Sequence, residues 1–264
     1  MKKMQKLVDN IMAFIQKRKN TKIVFLGHHK AGTTAISSLL AHGTKLSLSS
    51  DPIYTFSPNS SSTLEKLFND SDAFIHIAEK NPHIFFQKVV KEPDYVLSME
   101  TILNLYPHSD FVFIARDPHK IIRSILNRLS IDGKTTLQKI PCDKMFNYTP
   151  SWDYIINGDP KINDSFSVIE RLAHRVEKTT LAYIRYSDNI LLIKYEDFLQ
   201  NKSKSISDLA DKLDLIFYQN IDNLVDKQFQ PKGDNKLPIK EFFDEENYDL
   251  IKKICNQTIT HFKY

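Results

Sequence analysis

The sequence has few cysteines, and its charges are nearly balanced. Its two cysteines, Cys142 and Cys255, make no disulfide framework, so we expect a reducing, cytoplasmic location. A formal net charge of +4 suits a small anionic ligand but is too small to indicate nucleic-acid binding. We find no internal repeat, no linker and no acidic cluster of the kind that binds a metal. The oligomeric state cannot be read from these features.

Long apolar runs are also missing. In residues 1–20 the apolar Leu7, Ile11 and Phe14 are interrupted by lysines. This pattern predicts an N-terminal amphipathic helix rather than a signal peptide or a transmembrane segment. The hydrophobic content of 41% and the charged content of 26% are typical of a globular protein, and we expect a single α/β domain over residues 1–264.

The most informative segment is KIVFLGHHKAGTT, residues 22–34. It predicts a buried strand and a loop bounded by Gly27 and Gly32, with a helix directly after it. Backbone N–H groups and a helix N-terminus in this arrangement make a phosphate cradle. A Walker A loop has its lysine directly after the second glycine, whereas Lys30 precedes Gly32. The displaced lysine favours a phosphate-bearing donor other than ATP.

A second apolar strand is predicted over residues 110–115 and ends in Arg116. Open α/β sheets bind ligands outside the carboxyl ends of their strands. Ser124 follows on a predicted amphipathic helix, 119–129, where its hydroxyl can reach the same anion. The two segments together therefore predict an anion-binding site at the carboxyl edge of the sheet.

These segments resemble the sulfotransferases that use 3′-phosphoadenosine-5′-phosphosulfate (PAPS). The loop HKAGTT resembles their 5′-phosphosulfate loop, commonly P-K-[ST]-G-T-[ST], although His29 replaces the proline and Ala31 replaces the small hydroxyl residue. The run from Arg116 to Ser124 resembles their 3′-phosphate motif, R-D-P-x-x-x-x-x-S. Both motifs in this order are far more specific than either alone.

Two weaker similarities extend the resemblance to roughly residues 20–235. Tyr195, in KYEDF, resembles the tyrosine of R-Y-E-D-L, which lies near the adenine. Lys232 and Gly233 resemble the K-G of a C-terminal loop that closes over the 3′-phosphate, with Pro231 in place of the usual arginine. The donor-binding residues implied by the resemblance are His29, Ala31, Gly32, Thr33, Thr34, Arg116, Ser124, Tyr195, Lys232 and Gly233.

Alternating strands and helices predict an α/β fold, with a mostly parallel central sheet flanked by helices. The resemblance specifies this as the P-loop-like sulfotransferase fold. The remaining expected elements are a loop or lid at 47–62, helices at 63–78, 97–105, 165–186 and 203–213, strands at 84–90 and ending at Tyr195, and a loop-rich, acceptor-side insertion at 133–160 containing Tyr148, Trp152 and Tyr154.

The resemblance also implies a chemistry. Sulfuryl transfer builds negative charge on the leaving phosphate, which Lys30 is placed to neutralise, and no metal is expected. An acceptor hydroxyl or amine needs a general base. The histidine that cytosolic members use is missing from residues 88–93. Asp51 lies at about the distance from Lys30 at which carbohydrate-type members place a glutamate, so it is the favoured base, with Glu92 second. Lys91 matches a lysine that those enzymes place before a proline.

Other interpretations stay open at this stage. Asp51 also fits a turn or a helix cap, Glu92 fits an ion pair, Tyr195 fits core packing, and Arg116 fits an ion pair with its neighbour Asp117. A P-loop kinase using ATP and Mg²⁺ is disfavoured by the displaced lysine and the lack of a Mg²⁺-binding carboxylate. A non-catalytic nucleotide-binding protein would have no need of Lys30. The acceptor, for which a glycan or a small metabolite is favoured, cannot be identified.

Overall fold

The computed structural model describes residues 21–138, 149–157, 165–227 and 236–264. Its centre is a five-stranded, fully parallel sheet with strand order β2-β3-β1-β4-β5. This confirms the predicted fold class. The strands are β1 (Ile23–Gly27), β2 (Leu48–Ser50), β3 (Val89–Lys91), β4 (Asp110–Ala115) and β5 (Ile190–Lys194).

Helices connect the strands and follow the last of them. The first half of the chain contains α1 (Thr33–Thr44), α2 (Pro52–Phe56), α3 (Ser62–Asn69), α4 (Ser71–Lys80), α5 (Pro82–Phe85), a 3₁₀ helix (Pro93–Ser98), α6 (Met99–Leu105) and α7 (Pro118–Arg128). The second half contains α8 (Pro150–Asn157), α9 (Val168–Ile184), a 3₁₀ turn (Ser187–Asn189), α10 (Tyr195–Gln200), α11 (Lys202–Lys212), α12 (Ile239–Ile254) and α13 (Asn256–Phe262).

The central strand β1 is buried on both faces. Val24 and Leu26 belong to one apolar cluster, which also takes in α6 and the C-terminal helix α13. The alternate residues Ile23 and Phe25 belong to a second cluster, with α1 and α11. Side chains alternate between the faces of a strand, so the continuous apolar run IVFL supplies both layers. The sheet is therefore covered by helices on each side.

Several predicted boundaries were wrong. Residues 47–62 contain β2 and α2 rather than a loop or lid, and the helix predicted over 63–78 is two helices, α3 and α4, separated at Asp70. The Asp70 carboxylate accepts a hydrogen bond from the backbone N–H of Ala73, 3.1 Å away, and so caps α4. A side-chain cap of this kind competes with continuation of the preceding helix.

The apolar run at 84–90 was also misassigned, because short apolar runs do not distinguish strand from helix. It begins in α5 and becomes a strand only at Val89. Tyr195 begins helix α10 instead of lying in a strand, and the helix predicted over 97–105 starts as a 3₁₀ turn.

The proposed N-terminal helix over 1–20 lies outside the described residues, as does Tyr148. Within the predicted insertion, residues 150–157 form α8. Among the residues that the structure describes, no helix has the length and apolar character needed to cross a membrane.

Candidate active site

A cavity of about 730 Å³ opens at the carboxyl edge of the sheet. All five strands are parallel, so the residues that follow them meet at this edge. The cavity brings together most of the residues predicted from the sequence: His29, Lys30, Gly32, Thr33, Thr34, Asp51, Lys91, Glu92, Arg116, Ser124 and Tyr195. Its volume is in the usual range for a site that holds a nucleotide-sized ligand.

The loop after β1 has the backbone shape of an anion cradle. Lys30 and Gly32 have φ angles of 61° and 90°, and α1 begins directly afterwards at Thr33. A Cβ atom on Gly32 would lie 2.3 Å from Cε2 of Tyr195, so the tyrosine ring packs directly on this glycine. Only glycine fits a position with both a positive φ and so close a contact. The side chain of Ala31 instead lies in the core, fully buried, and does not line the cavity.

Arg116 joins the two predicted motifs. Its Nη1 donates a hydrogen bond to the backbone carbonyl of Lys30 at 2.6 Å, and its guanidinium lies 4.7 Å from the centre of the Tyr195 ring. Its buried Nε has no hydrogen-bond partner among the described residues. The neighbouring Asp117 carboxylate accepts from the backbone N–H of Lys120 at 3.1 Å and caps α7. Arg116 thus keeps unused hydrogen-bonding capacity at the cavity.

The centre of the cavity is strongly cationic. Burial, followed by the positive charges of Arg128, Arg116 and Lys91, lowers the pKa of Lys30 to about 8, with Asp51 acting in the opposite direction. Arg128, which the sequence analysis missed, lines the cavity on α7. It lies four positions after Ser124 and so on the same helix face, and that spacing is the signal that could have identified it.

Asp51 and Lys91 form an ion pair in the cavity wall. The Lys91 side chain is 4% exposed and that of Asp51 is 37% exposed, so the carboxylate is the accessible partner. The Asp51 side chain does not cap α2, which starts after it. The backbone N–H of Asp51 donates to the carbonyl of Lys91 at 2.8 Å and keeps the two residues in register.

Two further carboxyl groups, Glu92 and Asp94, lie beside this pair, and their pKa values are shifted in opposite directions. Burial, together with the negative charges of Asp51 and Asp94, raises the pKa of Glu92 well above its usual range. Burial acts in the same direction on Asp94, but His29 and Arg175 outweigh it and hold the pKa of Asp94 low. His29 Nε2 lies 2.9 Å from Asp94 Oδ1, and Arg175 forms a buried ion pair with the same carboxylate.

The wall around these carboxyl groups is largely apolar. Ile53, Leu64, Ile155 and Trp152 contribute to it, with Trp152 centred 5.6 Å from the His29 ring. Tyr154, one of the predicted stacking residues, instead packs parallel to Phe68 and does not line the cavity.

The opposite end of the cavity is formed by α10, the start of α11 and residues 225–227. Phe198, Leu199 and Val225 supply apolar surface there, and Lys202 pairs with the exposed Asp226 at 2.5 Å. Lys232 and Gly233 lie outside the described residues, so their predicted contact stays a prediction.

Two solved sulfotransferase structures resemble this chain over most of its length. Sulfotransferase STF9 from Mycobacterium avium is similar over 96% of this chain and 81% of its own, with a TM-score of 0.54 and 14% sequence identity. The sulfotransferase domain from the Synechococcus PCC 7002 olefin synthase matches 93% of this chain and 95% of its own, with a TM-score of 0.48 and 16% identity. At such low identity the first likeness is evidence for the fold alone, and the second, with its lower score, carries no argument.

Sequence comparison supplies the family. A search of curated proteins finds no significant match. A family model described as the sulfotransferase family matches residues 54–219, more than half of the chain. The match includes Lys91, Arg116, Ser124 and Tyr195, and the phosphate-cradle loop precedes it. The chain therefore belongs to the sulfotransferase family.

Proposed function

We propose that the protein transfers a sulfuryl group from PAPS to a hydroxyl or amine of an acceptor, without a metal. The observation that carries the proposal is the hydrogen bond between Arg116 and the carbonyl of Lys30. These residues belong to the two motifs of the sequence analysis and lie 86 positions apart. Their contact makes one continuous cationic surface, which suits a donor that has phosphate groups at both ends of a nucleoside.

The donor would supply the sulfuryl group and leave as 3′-phosphoadenosine 5′-phosphate (PAP). Backbone N–H groups and hydroxyls at Gly32, Thr33 and Thr34 would bind the 5′-phosphate, with the helix N-terminus adding partial positive charge. Lys30 would neutralise the charge that develops on the leaving oxygen.

The 3′-phosphate would bind at Arg116 and Ser124. Arg128, one helical turn after Ser124, adds a cation to the same surface. The Tyr195 ring packs between Gly32 and the Arg116 guanidinium, so it supports both phosphate sites besides its proposed contact with the adenine. Lys232 and Gly233 are proposed to close over the 3′-phosphate.

Asp51 is the proposed general base. Its carboxylate is the accessible member of the pair with Lys91, beside the loop that holds Lys30. Glu92 suits this role less well, because burial raises the pKa of its carboxyl group and so favours the protonated form, which cannot take up the acceptor's proton. Lys91 would orient Asp51 and add positive charge near the transferred group.

The acceptor would enter along the apolar wall of Ile53, Leu64, Trp152 and Ile155. This surface, with the Trp152 ring at its edge, suits an acceptor with an apolar or ring-shaped face. A small metabolite or a sugar ring meets that description.

Calorimetric titration with PAP in EDTA tests the donor site, with ADP as the ligand that lacks the 3′-phosphate. We expect wild type to bind PAP more tightly than ADP, and Arg116→Ala to lose that preference. Lys120→Ala is the matched control, because Lys120 lies on α7 at the surface and does not line the cavity. Binding of ADP or ATP that needs Mg²⁺ and is not improved by a 3′-phosphate would contradict the proposal and support a kinase.

Asp51→Asn separates binding from chemistry. We expect this variant to bind PAP as wild type does, but to lose transfer from PAPS to a panel of phenols and sugars. Full activity of Asp51→Asn, with loss of activity in Glu92→Gln, would assign the base to Glu92 instead.

A further inference from the structure

Two adjacent histidines of the cradle loop point to different places. His29 lines the cavity, whereas His28 is 2% exposed and lies behind the loop. The Nε2 atom of His28 is 3.0 Å from Oγ1 of Thr180 on α9. No step of the proposed reaction uses this buried imidazole.

The contact with Thr180 is the first link of a longer hydrogen-bond chain. Oγ1 of Thr180 is 2.8 Å from Oγ1 of Thr258 on α13, and Thr258 Oγ1 is 2.7 Å from Oε2 of Glu177. The Glu177 carboxylate also accepts the backbone N–H groups of Gln257 and Thr258, at 2.9 and 3.0 Å. Four side chains thus connect the cradle loop with the first turn of α13.

The donor and the acceptor in each of these hydrogen bonds follow from the number of protons that the side chains carry. A carboxylate that accepts three hydrogen bonds has no proton to give, so the single hydroxyl proton of Thr258 goes to Glu177. Thr180 must then donate to Thr258. Its own proton is used in that bond, so it can only accept from His28, and His28 must carry its proton on Nε2.

The environment of the ring agrees with a neutral imidazole. Burial, helped by the neighbouring His29, lowers the pKa of His28 to about 3 and outweighs the effect of the backbone carbonyl of Val176, which acts in the opposite direction. Its Nδ1 is buried and has no hydrogen-bond partner among the described residues, so a second proton there would be left unsatisfied. His28 is therefore a neutral donor of fixed tautomer across the physiological pH range.

A second contact connects α13 to the other side of the site. Lys194 Nζ donates to the carbonyl of Phe262 at 2.9 Å. Lys194 directly precedes Tyr195, whose ring packs on Gly32. Helix α13 is therefore linked to the cradle loop through His28, and through Lys194 to the residue next to Tyr195, whose ring packs on that loop.

We propose that His28 is a positioning residue, which holds the cradle loop in its anion-binding shape through Thr180, Thr258 and Glu177. Its effect on ligand binding rests on the proposed function, since the loop is taken to bind the 5′-phosphate of the donor. The loop holds Lys30, which has a Cβ atom, in a strained left-handed conformation, and an anchored neighbour is what keeps such a backbone in place.

Paired substitutions test the chain at both ends. Thr258→Val removes the hydroxyl with little change of shape, whereas Thr258→Ser keeps it, and Thr260→Val changes an exposed threonine of the same helix. His28→Gln places an amide N–H at the position of Nε2 and so can keep the hydrogen bond to Thr180. The shorter side chain of His28→Asn cannot reach that position and loses the bond. We expect PAP affinity to fall about tenfold in Thr258→Val and His28→Asn, and to stay within about twofold of wild type in the other three variants.

Hydrogen exchange of the backbone amides of residues 28–34 is measured on the same proteins without ligand. We expect faster exchange in this loop for Thr258→Val and His28→Asn, and unchanged exchange in β4. A merely structural role would instead loosen the whole domain equally, which would overturn the proposal.

Nitrogen-15 NMR of wild-type His28 is a test that needs no variant to fold. We expect the Nε2–H tautomer from pH 5 to pH 8, and an Nδ1–H tautomer or an imidazolium would overturn the proposal. If wild type fails to bind PAP, the proposed function fails, while the exchange and NMR results still decide whether His28 anchors the loop.

Discussion

The lowered pKa of Lys30 predicts that donor binding weakens in alkaline solution. The cause is mainly burial, followed by repulsion from Arg128, Arg116 and Lys91, and it brings the pKa of this lysine to about 8. A lysine with a lowered pKa is a cation below that value and becomes neutral as the pH rises through it. Bound phosphate favours the cation, so the free protein must take up a proton to bind PAP once the pH exceeds about 8.

The size of the effect follows from this titration. The cationic fraction of Lys30 is about one half at pH 8 and about one hundredth at pH 10, so the affinity for PAP should fall about 50-fold between these values. The lowest affinity that wild type can reach at high pH is that of Lys30→Met, in which the side chain at position 30 has no charge at any pH. The phosphate groups of PAP are fully ionised above pH 8 and add no slope of their own.

Calorimetry at constant ionic strength from pH 7 to pH 10 measures this slope. Lys30→Arg is the matched control, because arginine stays protonated throughout and should make PAP binding independent of pH. If wild type and Lys30→Arg weaken in parallel, another group titrates and the assignment to Lys30 is refuted.

Other variants probe the support of the site. Gly32→Ala forces a Cβ into the Tyr195 ring at a left-handed position, so we expect the thermal midpoint to drop by the equivalent of about 1–3 kcal/mol and PAP binding to be lost. Arg175→Leu removes the arginine that pairs with the buried Asp94 carboxylate and should lower the free energy of unfolding in urea by about 3–5 kcal/mol, and adding Asp94→Asn should recover part of that loss. The folded-state pKa of Asp94 is lowered, so the stability from this pair is present above pH 4 and should disappear as the pH falls below about 4. Burial raises the pKa of Cys255, so peptide mass analysis should find this thiol labelled by an aromatic disulfide reagent only after unfolding.

The long central strands were predictable because a simple pattern produces them. Residues 23–27, 110–115 and 190–194 are apolar runs next to turn signals, and each forms a strand. The three-residue strands β2 and β3 are too short to show a period, and their pairing depends on neighbours distant in sequence. The helices after residue 238 were not predicted, because α12 is rich in charged residues, α13 is short and mostly polar, and both lie beyond the resemblance.

The site was predictable where its residues follow strand ends. Lys30, Asp51, Arg116 and Tyr195 follow strands, Lys91 is the last residue of β3, and the parallel sheet brings all five to one edge.

What the sequence could not show were the partners that helices bring from elsewhere. Arg128 is contributed by a helix face, Arg175 reaches Asp94 from α9, and Thr258 completes the support of His28 from α13. Such pairings depend on how helices pack against the sheet, and no local pattern encodes that packing.

The contact between His28 and Thr180 also bears on how the protein is made. These residues are 152 positions apart, and Thr258 lies a further 78 positions along the chain. Contacts of such long range form late, after the entropy of closing large loops has been overcome. On the ribosome the cradle loop is synthesised before α13, and its hydrogen-bond chain cannot close until that helix has emerged. A nascent chain that lacks this helix can pair its strands, but its cradle loop should remain unanchored and accessible to chaperones and proteases until α13 docks.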